Sequence, residues 1–215
     1  MSLFRLDSSI RGEGSVSREV ADTVQRAYTE QHPHATVVQR DLGLSPVPAD
    51  AWSTAALAGF TPEDQRTDEQ QAARALAAEL ADELLGADAA LIAAPLYNFG
   101  VPHHLKAWID LLITDPRLGP GTSPLAGRSV TLVIARGGGY ATGTPREGWD
   151  HATPYLLRIF GDVWGAEVTV VAAELTLADV TPAMEGLRPA AAESKAQAHE
   201  LAEATGKALA SRTAA

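Results

Sequence analysis

The stretch Ala94-Pro95-Leu96-Tyr97-Asn98-Phe99-Gly100-Val101-Pro102 decides the fold. Ahead of it runs Ala89-Ala90-Leu91-Ile92-Ala93, a continuous apolar segment. An apolar run that ends in Pro-x-Tyr-Asn reads as a strand buried on both faces, the kind found in parallel sheets. The chain then turns at Gly100 and enters a helix at Pro102, a residue suited to the first helical position. Ligands of open α/β sheets bind just beyond the carboxyl ends of the strands. This loop holds that place. It offers two aromatic rings, an amide and backbone N–H groups, a set that suits a flat ring with polar edges.

Upstream, Leu3-Phe4-Arg5-Leu6 is a strand candidate, and Asp7 to Ser17 is a loop dominated by serine and glycine. A helix begins at about Ser17, with Val20, Val24 and Ala27 on one face and Ser15 or Ser17 as N-cap. A strand, a Ser/Gly loop and a helix N-terminus together can cradle an anion, because free N–H groups and the helix dipole favour negative charge. A capped surface loop has the same composition. Thr36–Arg40 is a second strand. A long proline-containing connection follows, with a short helix near Ala51–Gly59. From Thr67 a helix carries Ala73, Leu76, Ala77, Leu80 and Leu84 on one face and ends at Gly86. Asp88 to Ala94 is the third strand.

Downstream, the helix from Pro102 to about Thr114 sets Leu105, Trp108, Ile109 and Leu112 on one side. His104, Trp108 and Leu111 form a second apolar side, covered either by another subunit or by a neighbouring loop. His103 and His104 are adjacent, so they point to different helix faces and make no chelating pair. His32 and His34 flank a proline, and no metal-ligand set emerges. Asp115 to Gly127 is a loop. Ser129–Ala135 is the fourth strand, followed by Arg136-Gly137-Gly138-Gly139-Tyr140, where three glycines allow close backbone approach to a ligand. About Trp149 to Trp164 reads as a helix, Glu167–Ala172 as the fifth strand, and Pro189 opens an Ala-rich final helix towards Lys207.

A chain of 215 residues with 46% apolar residues suits a single domain, residues 1–215, with a full core. No apolar run approaches the roughly 20 residues of a membrane-spanning helix. Charges stand where a signal peptide would need its apolar centre, so a cytoplasmic protein is expected. The formal net charge of −10 argues against nucleic-acid and anionic-membrane surfaces. The absence of cysteine removes disulfides and thiolate chemistry.

Strands alternating with helices predict a doubly wound α/β domain, a three-layer αβα sandwich around a five-stranded parallel sheet. In the flavodoxin-like order 2-1-3-4-5, strands one, three and four are neighbours. Their three specialised loops would then converge on one crevice. No Gly-x-Gly-x-x-Gly follows the first strand, which disfavours a dinucleotide-binding Rossmann enzyme.

Pro95 to Pro102, followed by Leu105-Lys106-Ala107-Trp108-Ile109-Asp110, resembles the FMN-dependent NADH-azoreductase family, a flavodoxin-like group related to the NAD(P)H quinone reductases. The Ser9…Ser15-Val16-Ser17 loop and Arg136-Gly137-Gly138 fall where that family makes its other flavin contacts. The resemblance implies that FMN is held by Ser9, Ser15, Val16, Ser17, Leu96, Tyr97, Asn98, Phe99, Ala135, Arg136, Gly137 and Gly138. It also implies a homodimer with FMN at the interface, NADH or NADPH as co-substrate, and ping-pong reduction of a quinone or azo compound. The chain departs from the family at Ala135, where a hydroxyl residue is common. It departs again at Thr114–Pro120, which holds no aromatic residue to border a substrate. Tyr140 and His151 are the candidate proton donors, and with Trp149 they are the nearest substitutes for the missing wall. A pathway-specific flavoenzyme, an electron carrier or sensor, and a scaffold without flavin remain as rival expectations.

Overall fold

The computed structural model describes residues 1–213. Strands β1 (Ser2–Asp7), β2 (Thr36–Asp41), β3 (Ala89–Pro95), β4 (Ser129–Ala135) and β5 (Glu167–Ala173) form a sheet in the order β2-β1-β3-β4-β5. All neighbouring strands run parallel. This is the flavodoxin-like order expected for the doubly wound domain. Every residue of β3 is buried, as a central strand covered on both faces must be.

Two helices cover one face: α1 (Val16–Gln31) and α6 (Arg188–Thr213). Their contact is close because small residues line it. A Cβ at Gly206 would overlap the Val24 carbonyl oxygen and stand 2.8 Å from Ala27 Cβ. The other face carries α2 (Ala51–Ala58), α3 (Asp68–Leu85), α4 (His103–Leu112) and α5 (Ala152–Leu157). Thr67 caps α3 through a full capping box with Gln70, so the start of that helix is locally encoded.

Several boundaries differ from the sequence reading. Pro102 is the N-cap of α4 rather than its first helical residue, with ψ of 134°. The helix expected from Trp149 starts only at Ala152, because Gly148 turns with φ of 77° and Asp150 accepts the Ala152 and Thr153 N–H groups. It continues as a π-helix over Arg158–Val163. The final helix opens at Arg188 and passes Lys207 to reach Thr213.

The second side of α4 is settled within the chain itself. His104, Trp108 and Leu111 are all buried. Trp108 stacks on Phe4 of β1 with ring centroids 6.0 Å apart, and His104 bonds to the Ser8 carbonyl. The surplus apolar surface expected there is consumed by β1 and its neighbours, so it provides no subunit contact.

Candidate active site

Asp7, Pro95 and Ala135 end three adjacent strands, and the loops that follow them share one cleft. Ser9, Arg11, Gly14, Ser15, Val16 and Ser17 line it from the β1 side. Pro95, Leu96 and Tyr97 line it from β3, and Ala135, Gly137, Thr176 and Leu177 from β4 and β5. The cleft sits between β1 and β3, where the strand order reverses.

The β1 side presents backbone donors. Ser15 is the N-cap of α1, and its hydroxyl lies 3.2 Å from that of Ser17. Among the described residues, the N–H groups from Gly12 to Ser17 enter no hydrogen bond within the protein. A run of free amides at a helix N-terminus binds anions through hydrogen bonds and the helix dipole. Arg11 lines this end, and its side chain forms no ion pair among the described residues.

The β3 loop is a tight reversal. Tyr97 N–H donates to the Gly100 carbonyl at 3.1 Å, and Gly100 N–H returns a bond to Tyr97 at 2.9 Å. The two residues between them, Asn98 and Phe99, have φ of 48° and 66°. Two successive positive φ values define a type I′ turn, which Asn tolerates and Phe does not favour. The turn sends Phe99 outward, where it meets Trp149 edge-on with centroids 5.5 Å apart. The Tyr97 ring instead reaches β1, and its hydroxyl accepts the Ile10 N–H at 3.3 Å.

The β4 loop is anchored from one side. The carbonyls of Arg136, Gly137 and Gly138 accept the N–H groups of Thr176, Leu177 and Leu175 at 3.0, 3.3 and 3.1 Å. In a trans peptide the N–H points opposite to the C=O. The N–H groups of Gly137, Gly138 and Gly139 therefore face away from that segment, and none is used within the protein among the described residues. Leu177 packs directly on Gly137, where a Cβ would stand 2.7 Å from Leu177 Cδ1.

The structure thus brings Ser9, Ser15, Val16, Ser17, Leu96, Tyr97, Ala135 and Gly137 to one cleft. Asn98, Phe99, Arg136 and Gly138 stand beside it without lining it. The Arg136 side chain turns away, pairing with Asp150 at 2.8 Å and Glu174 at 2.9 Å. Burial pushes the Asp150 carboxyl up, but hydrogen bonds from Thr153, the Arg136 charge and the Ala152 N–H hold it below the usual range. Tyr140 and His151 do not line the cleft either. Tyr140 lies 6.0 Å from Arg146, while His151 borders a separate cavity with Val101, Lys106 and Tyr155. Burial, and then the Asp110 charge, push the Tyr155 hydroxyl up to about 12.

The sequence reading passed over Arg11, Gly14, Pro95, Thr176 and Leu177 as lining residues. The strand order itself was the available signal for the last two, since β5 neighbours β4 and its following loop must border the same crevice. A larger cavity of about 560 Å³ lies away from the strand ends, between α3 and Thr114–Asp115. Volume does not identify the site here; the free amides and the apolar slot do.

Comparison with known proteins agrees with this geometry. The family model described as flavodoxin-like fold matches residues 1–203. An FMN-dependent NADH:quinone oxidoreductase of Streptomyces avermitilis is 44% identical, covering 100% of this chain and 99% of the relative. An FMN-dependent NAD(P)H:quinone oxidoreductase of Pseudomonas aeruginosa is 38% identical over 80% of this chain and 86% of its own. The crystal structure of an azoreductase from Bacillus anthracis superposes with a TM-score of 0.77 at 25% identity, covering 97% of this chain and 99% of that one. The chain belongs to the family of flavodoxin-like fold that contains these quinone oxidoreductases and azoreductases.

Proposed function

We infer that this protein is an FMN-dependent NAD(P)H oxidoreductase that reduces quinones and azo compounds. The observation that carries the reading is the continuity of a free-amide nest at Gly12–Ser17 with an apolar slot between Leu96 and Gly137. FMN has that shape and polarity: a dianionic phosphate at one end and a flat ring with a polar edge at the other. Its names in the relatives support the same assignment.

The amides from Gly12 to Ser17 and the hydroxyls of Ser15 and Ser17 would hold the phosphate. Leu96 and Tyr97 would flank the ring, and Ala135 would face it without offering a hydroxyl. The free N–H groups of Gly137 to Gly139 would face the ring's pyrimidine edge, where preorganised dipoles stabilise the negative charge of a reduced ring. Asn98 and Phe99 would form the rim. Arg136 would act through the loop that it pins, since its charge is already neutralised. Bound there, FMN supplies two-electron chemistry, accepting hydride from NADH or NADPH and passing the reducing equivalents to a second substrate in alternation.

The chain acts as one flavodoxin-like domain and as a homodimer with FMN beside the interface. Support for the interface comes from Phe99 and Trp149, which are 39% and 51% exposed next to the cleft. Among the described residues no helix is long and apolar enough to cross a membrane. The cytoplasm, where pyridine nucleotides are kept, is the site of action that this reaction requires.

The visible spectrum of the purified protein tests the reading. A bound flavin spectrum that NADH bleaches without air, with colour returning on adding a quinone, is the expected result. Bound flavin that NADH does not bleach indicates an electron carrier, and absence of flavin binding overturns the assignment.

A further inference from the structure

The amide nest is held in shape from behind, and one side chain does most of the holding. Arg18, on the first turn of α1, lies outside the cleft lining. Its Nη2 donates to the Ser9 carbonyl at 2.8 Å, and its Nε donates to the Arg11 carbonyl at 2.9 Å. Both terminal nitrogens are themselves fixed by Asp41 at the end of β2, each at 2.7 Å. Burial raises the Asp41 carboxyl, but the Arg18 hydrogen bonds and the Leu44 N–H outweigh it and keep it ionised. A bidentate guanidinium–carboxylate pair is among the stiffest ionic contacts available to a protein.

Peptide planarity converts these carbonyl contacts into amide directions. Every peptide bond described is trans. With the Ser9 carbonyl drawn towards Arg18, the Ile10 N–H of the same peptide must point the other way, and it meets the Tyr97 hydroxyl at 3.3 Å. With the Arg11 carbonyl drawn the same way, the Gly12 N–H opens the run of free donors on the opposite side.

A second, independent contact holds the same backbone. Gly43, in the turn after β2, packs against Ser9 so closely that a Cβ there would fall on the Ser9 carbonyl oxygen. That Cβ would also stand 3.1 Å from Arg18 Nη2. The β2 turn therefore leaves room for this one carbonyl position and no other side chain.

We propose that Arg18, braced on Asp41, is a positioning residue that selects the phosphorylated flavin over the unphosphorylated one without touching the phosphate. The proposal rests on the FMN assignment above. It assigns the phosphate preference to the free amides that begin at Gly12, whereas the Ile10–Tyr97 contact, also set through Ser9, serves both flavins alike. Riboflavin, which has the same ring and no phosphate, reports the ring end alone.

The test measures dissociation constants for FMN and for riboflavin by flavin fluorescence, on flavin-free wild type, Arg18→Met, Arg18→Lys and Asp41→Asn. In the wild type FMN binds much more tightly than riboflavin. In Arg18→Met, FMN affinity is expected to fall 10- to 100-fold while riboflavin affinity stays within threefold. Arg18→Lys, which reaches one carbonyl but cannot grip Asp41 bidentately, should fall between. Asp41→Asn decides the matter if Arg18→Met fails to melt cooperatively, with the same selective loss expected to a smaller degree. Equal losses for both flavins, or an unchanged ratio in every folded variant, overturn the positioning role. A wild type that binds neither flavin overturns the cofactor assignment itself, a result separable from the first.

Discussion

The Tyr97 hydroxyl stands 3.4 Å from Ser9 Oγ, so the β3 loop and the β1 loop touch across the crevice. The contact bridges the point at which the strand order reverses, and it ties the ring end of the cleft to the anion end. Tyr97→Phe keeps the ring and removes the bridge. A neutral hydrogen bond contributes about 1 kcal/mol, so FMN affinity should fall roughly fivefold in a fluorescence titration. A larger loss in thermal stability than in affinity would contradict a role at the cleft.

Phe99 adopts φ of 66° in the turn after β3. A left-handed conformation costs a residue with a Cβ about 1–2 kcal/mol, whereas glycine escapes that cost. Phe99→Gly and Phe99→Ala both lose the contact with Trp149, and only the first relieves the backbone. The glycine variant should therefore be the more stable of the two by about 1 kcal/mol in urea unfolding. Both should lower kcat/KM for quinones, because an exposed ring at the rim is gone.

His104 is buried at 4% exposure and its Nε2 lies 2.6 Å from the Ser8 carbonyl. A carbonyl can only accept, so Nε2 carries the proton and the neutral ring suffices. Burial lowers the pKa of His104 from 6.5, the Ser8 carbonyl and Asp41 oppose that shift, and neighbouring His103 adds to it. The unfolded chain thus binds a proton more readily than the native one as pH drops below 6.5. This contribution to stability is complete above that value and declines below it. His104→Gln, which can still donate to Ser8, should flatten the stability–pH curve below pH 6.5. An unchanged slope would remove His104 as its source.

At Gly206, α6 packs on α1 with no room for a side chain. Gly206→Ala adds about 1 kcal/mol of helix propensity, but the methyl group meets the Val24 carbonyl and must part the helices. Overpacking of this kind costs about 1–3 kcal/mol. A decrease in Tm of a few degrees is expected, with FMN affinity unchanged because the contact lies far from the strand ends.

Arg136 holds Asp150 and Glu174 with side-chain exposures of 16%, 13% and 18% respectively. Arg136→Met leaves both carboxylates without their cation in a mostly buried setting, at a cost of about 3 kcal/mol. Arg136→Lys keeps the charge but cannot span both partners, so its loss should be smaller. Urea unfolding at neutral pH measures the order, and equal stability of the two variants would contradict the clasp.

Local sequence determined which segments became strands and helices. The apolar run before Pro95 marks a buried strand, the capping box at Thr67 marks a helix start, and alternation of the two element types points to a parallel sheet, for which the flavodoxin-like order places strands one, three and four side by side. With that order, the meeting of the Ser15, Tyr97 and Gly137 loops follows from topology. Tertiary structure alone decided what the side chains do once they meet. Arg136 belongs to a glycine motif read as a flavin contact, yet its charge is absorbed by Asp150 and by Glu174, which is remote in sequence. Trp108 and Leu111 form an apolar stripe that either another subunit or a neighbouring loop could cover, yet the core of the chain itself buries them. Arg18 carries no sequence signal beyond standing off the apolar face of α1, yet it spans from α1 to β2 and grips the loop between. The physical reason is the same in each case. Periodicity and capping act over a few residues, whereas charge pairing and close packing depend on partners that only the folded chain brings together.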